Sequence, residues 1–542
     1  MLGLMQDRPL VLTHFFDRAE KLFRDKEVVT ATATGIERVS YAQWADRSRR
    51  LGGVLDDLGI SADGRVGTFA WNTARHLELY FGVPCSGRVV HTLNIRLFPE
   101  QVTYIVNHAE DEVIFVDRSL LGLLWPLVPT FDTVRHIVVM DDGVGELPTA
   151  VEGVELHDYE DLLGAASPVE FHVADEDQAA SMCYTSGTTG NPKGVVYSHR
   201  STWLHTAGVM MADSLGACER DTIMPVVPMF HANAWGLAHA GVASGANLVM
   251  PGPDLSPAAL VRLIETQRVT VAAGVPTIWM GVLDAIDGHD VSSLRAIPCG
   301  GSAVPKVLSE AYRAKIGMPI LQAWGMTETS PVASICRIKS TLDHLTDDAK
   351  ADLRASIGLV APGVDFRVVD QATGEAVPWD GVSRGELQVA GPWVARAYYD
   401  DERSDDSFTD DGWLRTGDVV TCDAEGYLRI VDRTKDVVKS GGEWISSVEL
   451  ENEIMGHPAV AEAAVIGVRH PKWGERPLAC VVVRPDERVT KEELLEFLDG
   501  KVAKWWLPDD VVFIDEVPKT SVGKFSKRDL RDRFADHELP TA

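Results

Sequence analysis

The stretch Tyr184-Thr185-Ser186-Gly187-Thr188-Thr189-Gly190-Asn191-Pro192-Lys193-Gly194 packs hydroxyls, glycines and one lysine into a segment with almost no core-forming side chains. Glycines let a backbone approach an anion closely, Ser and Thr hydroxyls donate hydrogen bonds to phosphate oxygens, and a lysine adds positive charge. Read alone, the stretch is compatible with a loop that grips a nucleotide triphosphate and with an ordinary polar surface loop. It is not the P-loop of kinases and ATPases, which sets Gly-Lys-Ser/Thr side by side, because Asn191 and Pro192 separate Gly190 from Lys193.

On both sides of this stretch, short apolar runs alternate with amphipathic segments over roughly the first 430 residues. Val113 to Val116, Ile137 to Met140, Leu248 to Met250 and Val269 to Ala273 read as strands, whereas Pro99 to Asn107 and Ser256 to Thr266 carry helical spacing. The pattern predicts α/β layers. Lys339 to Ser356, rich in Asp, Lys and Ala, reads as an exposed helical insertion. From Gly385 onward, Glu386 to Val389 and Leu428 to Val431 are separated by turn signals such as Asp410-Asp411-Gly412 and predict a small β-rich subdomain. Asp432-Arg433-Thr434-Lys435-Asp436 breaks that pattern with four charged residues in five, as a hinge would. Beyond it, Ser447 to Met455 and Lys491 to Leu498 read as helices, and Val460 to Val468 and Leu478 to Val483 as strands. The expected fold is α/β and β. A large N-terminal domain of several subdomains (1–431) is hinged to a small α+β C-terminal domain (432–542).

At 542 residues the chain exceeds what one hydrophobic core usually supports. With 45% hydrophobic and 24% charged residues it has the composition of a globular protein, and no apolar run approaches the ~20 residues of a spanning helix. The N-terminus lacks a secretory pattern, so a cytoplasmic location is expected. Seven scattered cysteines, none in a Cys-x-x-Cys pair, argue against a disulfide framework or a zinc site. A formal charge of −29 repels nucleic acid and anionic membranes, and makes clusters of Lys and Arg the more informative.

Four further segments follow the opening one in the chain. They are Val227-Pro228-Met229-Phe230-His231-Ala232-Asn233-Ala234-Trp235; Pro298-Cys299-Gly300-Gly301-Ser302-Ala303 with Gln322-Ala323-Trp324-Gly325-Met326-Thr327-Glu328; Trp413-Leu414-Arg415-Thr416-Gly417-Asp418; and Pro518-Lys519-Thr520-Ser521-Val522-Gly523-Lys524-Phe525. In this order they resemble the adenylate-forming superfamily, and in particular its acyl-CoA synthetases.

The resemblance implies ATP, coenzyme A and a small-molecule carboxylic acid as substrates, with Mg²⁺ as cofactor. It implies that Lys524, His231 and Thr327 are catalytic, and that Thr185, Ser186, Gly187, Thr188, Thr189, Gly190 and Lys193 hold the phosphates. Gly301, Ser302, Ala303, Gln322, Ala323, Trp324, Gly325 and Met326 are matched to the adenine site, Thr327 to the α-phosphate, and Asp418, Arg433, Lys435 and Lys439 to further nucleotide contacts. Glu328 with Thr185 is matched to the metal; one hard carboxylate completed by a hydroxyl, water and phosphates is how Mg²⁺ is usually held. His231, Trp235, Gly300, Pro331 and Val332 are matched to the acyl pocket, and Asp432 to the hinge. Lys439, Ser440, Gly441, Gly442 and Trp444 are matched to the coenzyme A channel.

The acyl-pocket residues are mostly apolar or aromatic and offer no carboxylate for an amino group, which disfavours amino-acid substrates. Medium- or long-chain fatty acids are the expected substrates, with methylmercaptopropionate or another short acid as the alternative. A non-catalytic nucleotide-binding relative is the rival of another class. A homodimer is compatible with the resemblance.

Overall fold

A computed structural model describes residues 1, 3–148, 152–185, 191–441, 443–520 and 524–541. The expected segments Ser186 to Gly190 and Gly442 fall outside the described residues. Among those described, no helix is long and apolar enough to cross a membrane.

The opening stretch is positioned by a seven-stranded sheet, whose strands lie in the order Glu155–Asp158, His136–Met140, Asp111–Asp117, Arg65–Phe69, Val89–Thr92, Ala179–Tyr184 and Gly194–Ser198. The first six run parallel and the last is antiparallel. Central strands covered on both faces require near-continuous apolar runs, and Val113 to Val116 and Ile137 to Met140 are fully or almost fully buried. The segment 185–193 therefore joins two neighbouring strands at the carboxyl end of a parallel sheet, where ligands of α/β folds bind.

A second sheet sets Val271–Ala273, Thr222–Pro225, Asn247–Met250 and Glu27–Thr32 in parallel, with Gly35–Ser40 added antiparallel at its edge. The helix Ala74–Cys85 supplies Leu77, Tyr80 and Phe81 to one core and Leu79 and Val83 to another. All of its residues except Arg75 are buried, so it is apolar around nearly its whole circumference, as a helix between two layers must be. Ser40 with Gln43 forms a capping box at Tyr41–Asp57, and Ser256 followed by Pro257 opens the helix Pro257–Thr266.

Two four-stranded sheets follow. One joins Pro298–Cys299, Leu321–Gly325, Val332–Ile335 and Leu359–Val360; the other is the antiparallel set Asp365–Val369, Arg384–Ala390, Leu414–Cys422 and Leu428–Arg433. The small C-terminal domain is built on the long hairpin Val460–His470 and Gly474–Val483, covered by the helices Ser447–Met455, Lys491–Leu498 and Lys527–Arg533. The α/β and β architecture with a small C-terminal domain agrees with the sequence reading.

Two local expectations are revised. The insertion 339–356 is not one helix: a single 3-10 turn, Ser340–Leu342, precedes the α-helix Asp347–Arg354, which the Thr346 hydroxyl starts by accepting from Ala349 N. Asp432 and Arg433 are not in a loop: they end the strand Leu428–Arg433, facing Val419 and Asp418.

Phe115 lies at the centre of the parallel sheet with no exposed surface. Phe115→Ala is expected to cost about 3–5 kcal/mol through lost burial and the cavity left behind, which a lowered thermal unfolding midpoint would reveal.

Candidate active site

The ends of the 185–193 segment are closed by reciprocal bonds. Thr185 N donates to Lys193 O at 2.9 Å, and Lys193 N donates to Thr185 Oγ1 at 3.1 Å. Its lysine points into a cavity of about 500 Å³, where Nζ stands 4.2 Å from the centre of the Tyr398 ring and donates to Ser407 Oγ at 3.1 Å. The Tyr398 hydroxyl donates in turn to Glu328 Oε1 at 2.6 Å. Glu328 is 6% exposed and lines the same cavity as Thr185, so one buried carboxylate and one hydroxyl face a common space.

The lining carries six basic side chains (Lys193, Arg403, Arg415, Arg433, Lys435, Lys524) against three acidic ones (Glu328, Glu386, Asp406). In a chain of net charge −29, this local inversion of sign marks a seat for an anion.

A second cavity of about 260 Å³ shares Gly301, Ala323, Trp324, Gly325, Arg433, Lys435 and Lys524 with the first, and adds Ser302, Ala303, Gln322 and Asp418. Gln322 Oε1 is buried there without a hydrogen-bond partner, an acceptor left for a ligand's amine. Asp418 is held from two sides: the Trp324 indole N–H donates to Oδ2 at 2.8 Å, and Arg433 Nε pairs with Oδ1 at 3.0 Å.

Lys524 enters from the C-terminal domain. A Cβ built on Gly301 would lie 3.4 Å from Lys524 Cε, so the lysine stem runs against bare backbone, and Gly301 itself is left-handed at φ 83°. Burial, then repulsion from Arg433, lowers the Lys524 ammonium to about 8 despite Asp418 and Glu328 nearby. Burial, then Lys524, lowers His231 to about 3, which keeps its imidazole neutral at physiological pH.

The backbone after His231 is left-handed for five residues, from Ala232 (φ 42°) through Asn233, Ala234 and Trp235 (φ 56°) to Gly236. Asn233 anchors this turn, accepting from Cys183 Sγ and donating to Ser181 Oγ at 2.9 Å. The turn sets the six-membered edge of Trp235 against the Gly300–Gly301 backbone, where built Cβ atoms would stand 3.6 and 3.8 Å from it. Ala323, Pro331 and Val332 complete that side of the larger cavity.

The structure thus brings together Thr185, Lys193, His231, Trp235, Gly300, Gly301, Ser302, Ala303, Gln322, Ala323, Trp324, Gly325, Met326, Thr327, Glu328, Pro331, Val332, Asp418, Asp432, Arg433, Lys435 and Lys524 around two adjoining cavities. It sets Lys439, Ser440, Gly441 and Trp444 elsewhere. Lys439 is exposed, and the Ser440 hydroxyl accepts from Arg476 at 3.2 Å. The N-terminal domain's Arg384 donates to Trp444 O at 3.0 Å.

The sequence reading missed Tyr398 and Ser407, which meet Glu328 and Lys193 only through the fold, and Arg403, which donates to Asn191 O at 3.0 Å. It also missed a buried network at the domain junction. Asp432 Oδ2 accepts from Ser447 N and Oγ at 2.7 and 2.6 Å, Lys527 Nζ lies 2.7 Å from Glu451 Oε1, and Lys527 also donates to Ser447 Oγ. No local pattern pointed to Lys527.

Fold and cavities together define an adenylate-forming enzyme. Residues 15–399 match the AMP-binding enzyme family, and residues 449–524 match the AMP-binding enzyme C-terminal domain. The chain is 46% identical to a 3-methylmercaptopropionyl-CoA ligase of Ruegeria pomeroyi, covering 99% of both chains, and 47% identical to a long-chain-fatty-acid–CoA ligase of Thermus thermophilus, covering 98% of this chain and 97% of that one. Its structure is similar to that of an anthranilate CoA ligase in complex with anthranoyl-AMP, with a TM-score of 0.85, 25% identity and 98% of each chain covered. The chain belongs to the acyl-CoA synthetases, the branch of AMP-binding enzymes that are acid–thiol ligases.

Lys527 is the cation for two buried carboxylates, and burial raises Glu451 to about 7 even with that cation present. Lys527→Met is expected to destabilise the protein by about 3–5 kcal/mol at pH 8.5. Without Lys527 the Glu451 carboxyl titrates higher still, so the deficit is smaller below pH 7, where a protonated Glu451 needs no partner, and grows as pH rises. Thermal midpoints of parent and variant at pH 6 and pH 8.5 measure this difference.

Proposed function

We propose that this acyl-CoA synthetase joins a short apolar carboxylic acid to coenzyme A, through an acyl adenylate formed around Lys524. The observation that carries this reading is the placement of Lys524, distant in sequence, in the wall between the two cavities, near Glu328, Asp418 and the neutral His231.

In the first half-reaction the acid's carboxylate attacks the α-phosphorus of ATP and pyrophosphate leaves. The Lys524 ammonium offsets the charge that gathers on the pentacoordinate phosphorus and the entering oxygen. Thr327 donates to the α-phosphate, and Lys193 with the hydroxyls of the 185–190 stretch takes the departing pyrophosphate. Asp418 accepts from the ribose hydroxyls beside Arg433, and the free Gln322 oxygen accepts from the adenine amine. His231, neutral, orients the acid without adding a second cation beside Lys524. Glu328 and Thr185 suit Mg²⁺, which favours oxygen donors and few protein ligands; when bound, it would neutralise phosphate charge.

In the second half-reaction the coenzyme A thiol attacks the acyl carbonyl and AMP leaves. We place the domain boundary at Asp432. Rotation there withdraws Lys524 and swings the Val438–Ile445 hairpin, with Lys439, Ser440, Gly441 and Trp444, toward the cavity as the thiol's path.

Trp235 supports a short acid. Its ring closes the larger cavity against Gly300 and Gly301, and the acid named for the Ruegeria relative, 3-methylmercaptopropionate, is of that scale. The Thermus relative's name favours a second reading, a longer acid admitted when Trp235 turns aside.

Lys524→Ala is expected to slow adenylation by about 10²–10³-fold while leaving conversion of supplied acyl adenylate to thioester nearly intact. In the parent enzyme adenylation falls as pH rises through about 8, when the Lys524 amine loses its proton, and the thioester step does not share that fall. Equal loss of both halves in the variant would exclude this role. Thioester assays over acids of increasing chain length, methylthiopropionate included, are expected to show kcat/KM falling with length. Trp235→Ala should shift the optimum to longer acids; an unchanged profile would refute the role of the ring.

A further inference from the structure

A separate constellation lies at the far edge of the seven-stranded sheet, outside both cavities. His136 begins its strand and stands opposite Glu155 on the edge strand Glu155–Asp158, while His157, two residues on, projects from the same face as Glu155. The three donors converge. His136 Nδ1 is 3.2 Å from His157 Nε2, and Glu155 Oε2 is 3.7 Å from the first nitrogen and 3.5 Å from the second.

A hydrogen bond between the rings accounts for the first distance only, since 3.5 and 3.7 Å exceed hydrogen-bond reach. A tetrahedral cation accounts for all three. Ligand bonds of about 2.0–2.1 Å place tetrahedral donors roughly 3.3–3.4 Å apart, a value the three separations straddle. Octahedral ligation at such bond lengths requires edges of about 2.8–3.0 Å, shorter than any of them. Two imidazoles select zinc-like ions over Mg²⁺ or Ca²⁺.

We propose that His136, Glu155 and His157 form a zinc site, with water as fourth ligand on the exposed Glu155 side. The ion would fasten the short edge strand to its neighbour. That strand leads directly into the helix Tyr159–Ala165, whose Tyr159 and Glu160 meet Glu78, Arg47 and Arg75. The site is therefore structural, and ligase turnover does not require it.

The test uses the full chain, stripped by chelator and titrated with Co²⁺ and then Zn²⁺. The expected result is one equivalent of Co²⁺ bound with the intense visible absorption of tetrahedral coordination, displaced by one equivalent of Zn²⁺, and a zinc-dependent rise in the unfolding midpoint. His157→Ala should weaken binding about 100-fold or more and Glu155→Gln about 10-fold, both with unchanged ligase activity. The weak absorption of six-coordinate Co²⁺, substoichiometric binding, or equal affinity in parent and both variants would overturn the proposal. The last result would place the ion among others of the sixteen histidines. Glu155→Gln conserves shape, so it reports on the site even if His157→Ala fails to fold.

Discussion

Asp418 is the point on which the candidate site depends. Its carboxylate is almost fully buried, a costly state for an anion, and two donors from separate elements hold it. Trp324 comes from the strand Leu321–Gly325 and Arg433 from the end of the strand Leu428–Arg433, at the domain boundary. One carboxylate therefore ties together the sheet beneath the second cavity, the small antiparallel sheet and the start of the C-terminal domain. Because both oxygens are engaged by side chains that also line the cavities, the carboxylate cannot shift without displacing them.

Charge is arranged around that point in a consistent way. Burial first, then repulsion from Arg433, lowers Lys524 to about 8, and Asp418 and Glu328 offset part of that shift. A cationic cavity within an acidic chain attracts polyanionic nucleotide while the remaining surface stays repulsive to nucleic acid. The buried network of Asp432, Ser447, Glu451 and Lys527 applies similar logic at the junction. Glu451, Ser447 and Lys527 satisfy one another within the C-terminal domain, and only the bonds from Ser447 to Asp432 reach the boundary.

Much of this was legible in the sequence, because a glycine-rich loop and short motifs impose local demands that few residue types meet. Lys193 was singled out as the cation of the glycine-rich stretch, Glu328, Asp418 and Lys524 only through the resemblance of their segments to the adenylate-forming superfamily, and the strands of the α/β layers by their apolar runs. Tyr398 and Ser407 were not, since a tyrosine and a serine in a charged loop carry no signal until the fold brings them to Lys193 and Glu328. Lys527 was hidden for the same reason: a lysine starting a short helix looks solvated until Glu451 is seen 2.7 Å away. The placement of Asp432 in a strand was obscured because charged residues read as a loop, whereas cross-strand pairing with Val419 keeps the backbone extended.

The left-handed run from Ala232 to Gly236 has a consequence for how this enzyme could change its acid. Such a conformation costs roughly 1–2 kcal/mol for each residue bearing a side chain, and only the bonds of Asn233 and the packing around it keep the run in place. The shape of the larger cavity beside Trp235, where we propose the acid binds, is thus set by the buried layer formed by Tyr80, Ser181 and Cys183 as much as by the lining residues. On the proposed role of Trp235, selectivity is a property of the scaffold's interior, and substitutions that never meet the substrate would re-aim the ring and redraw the range of acids accepted.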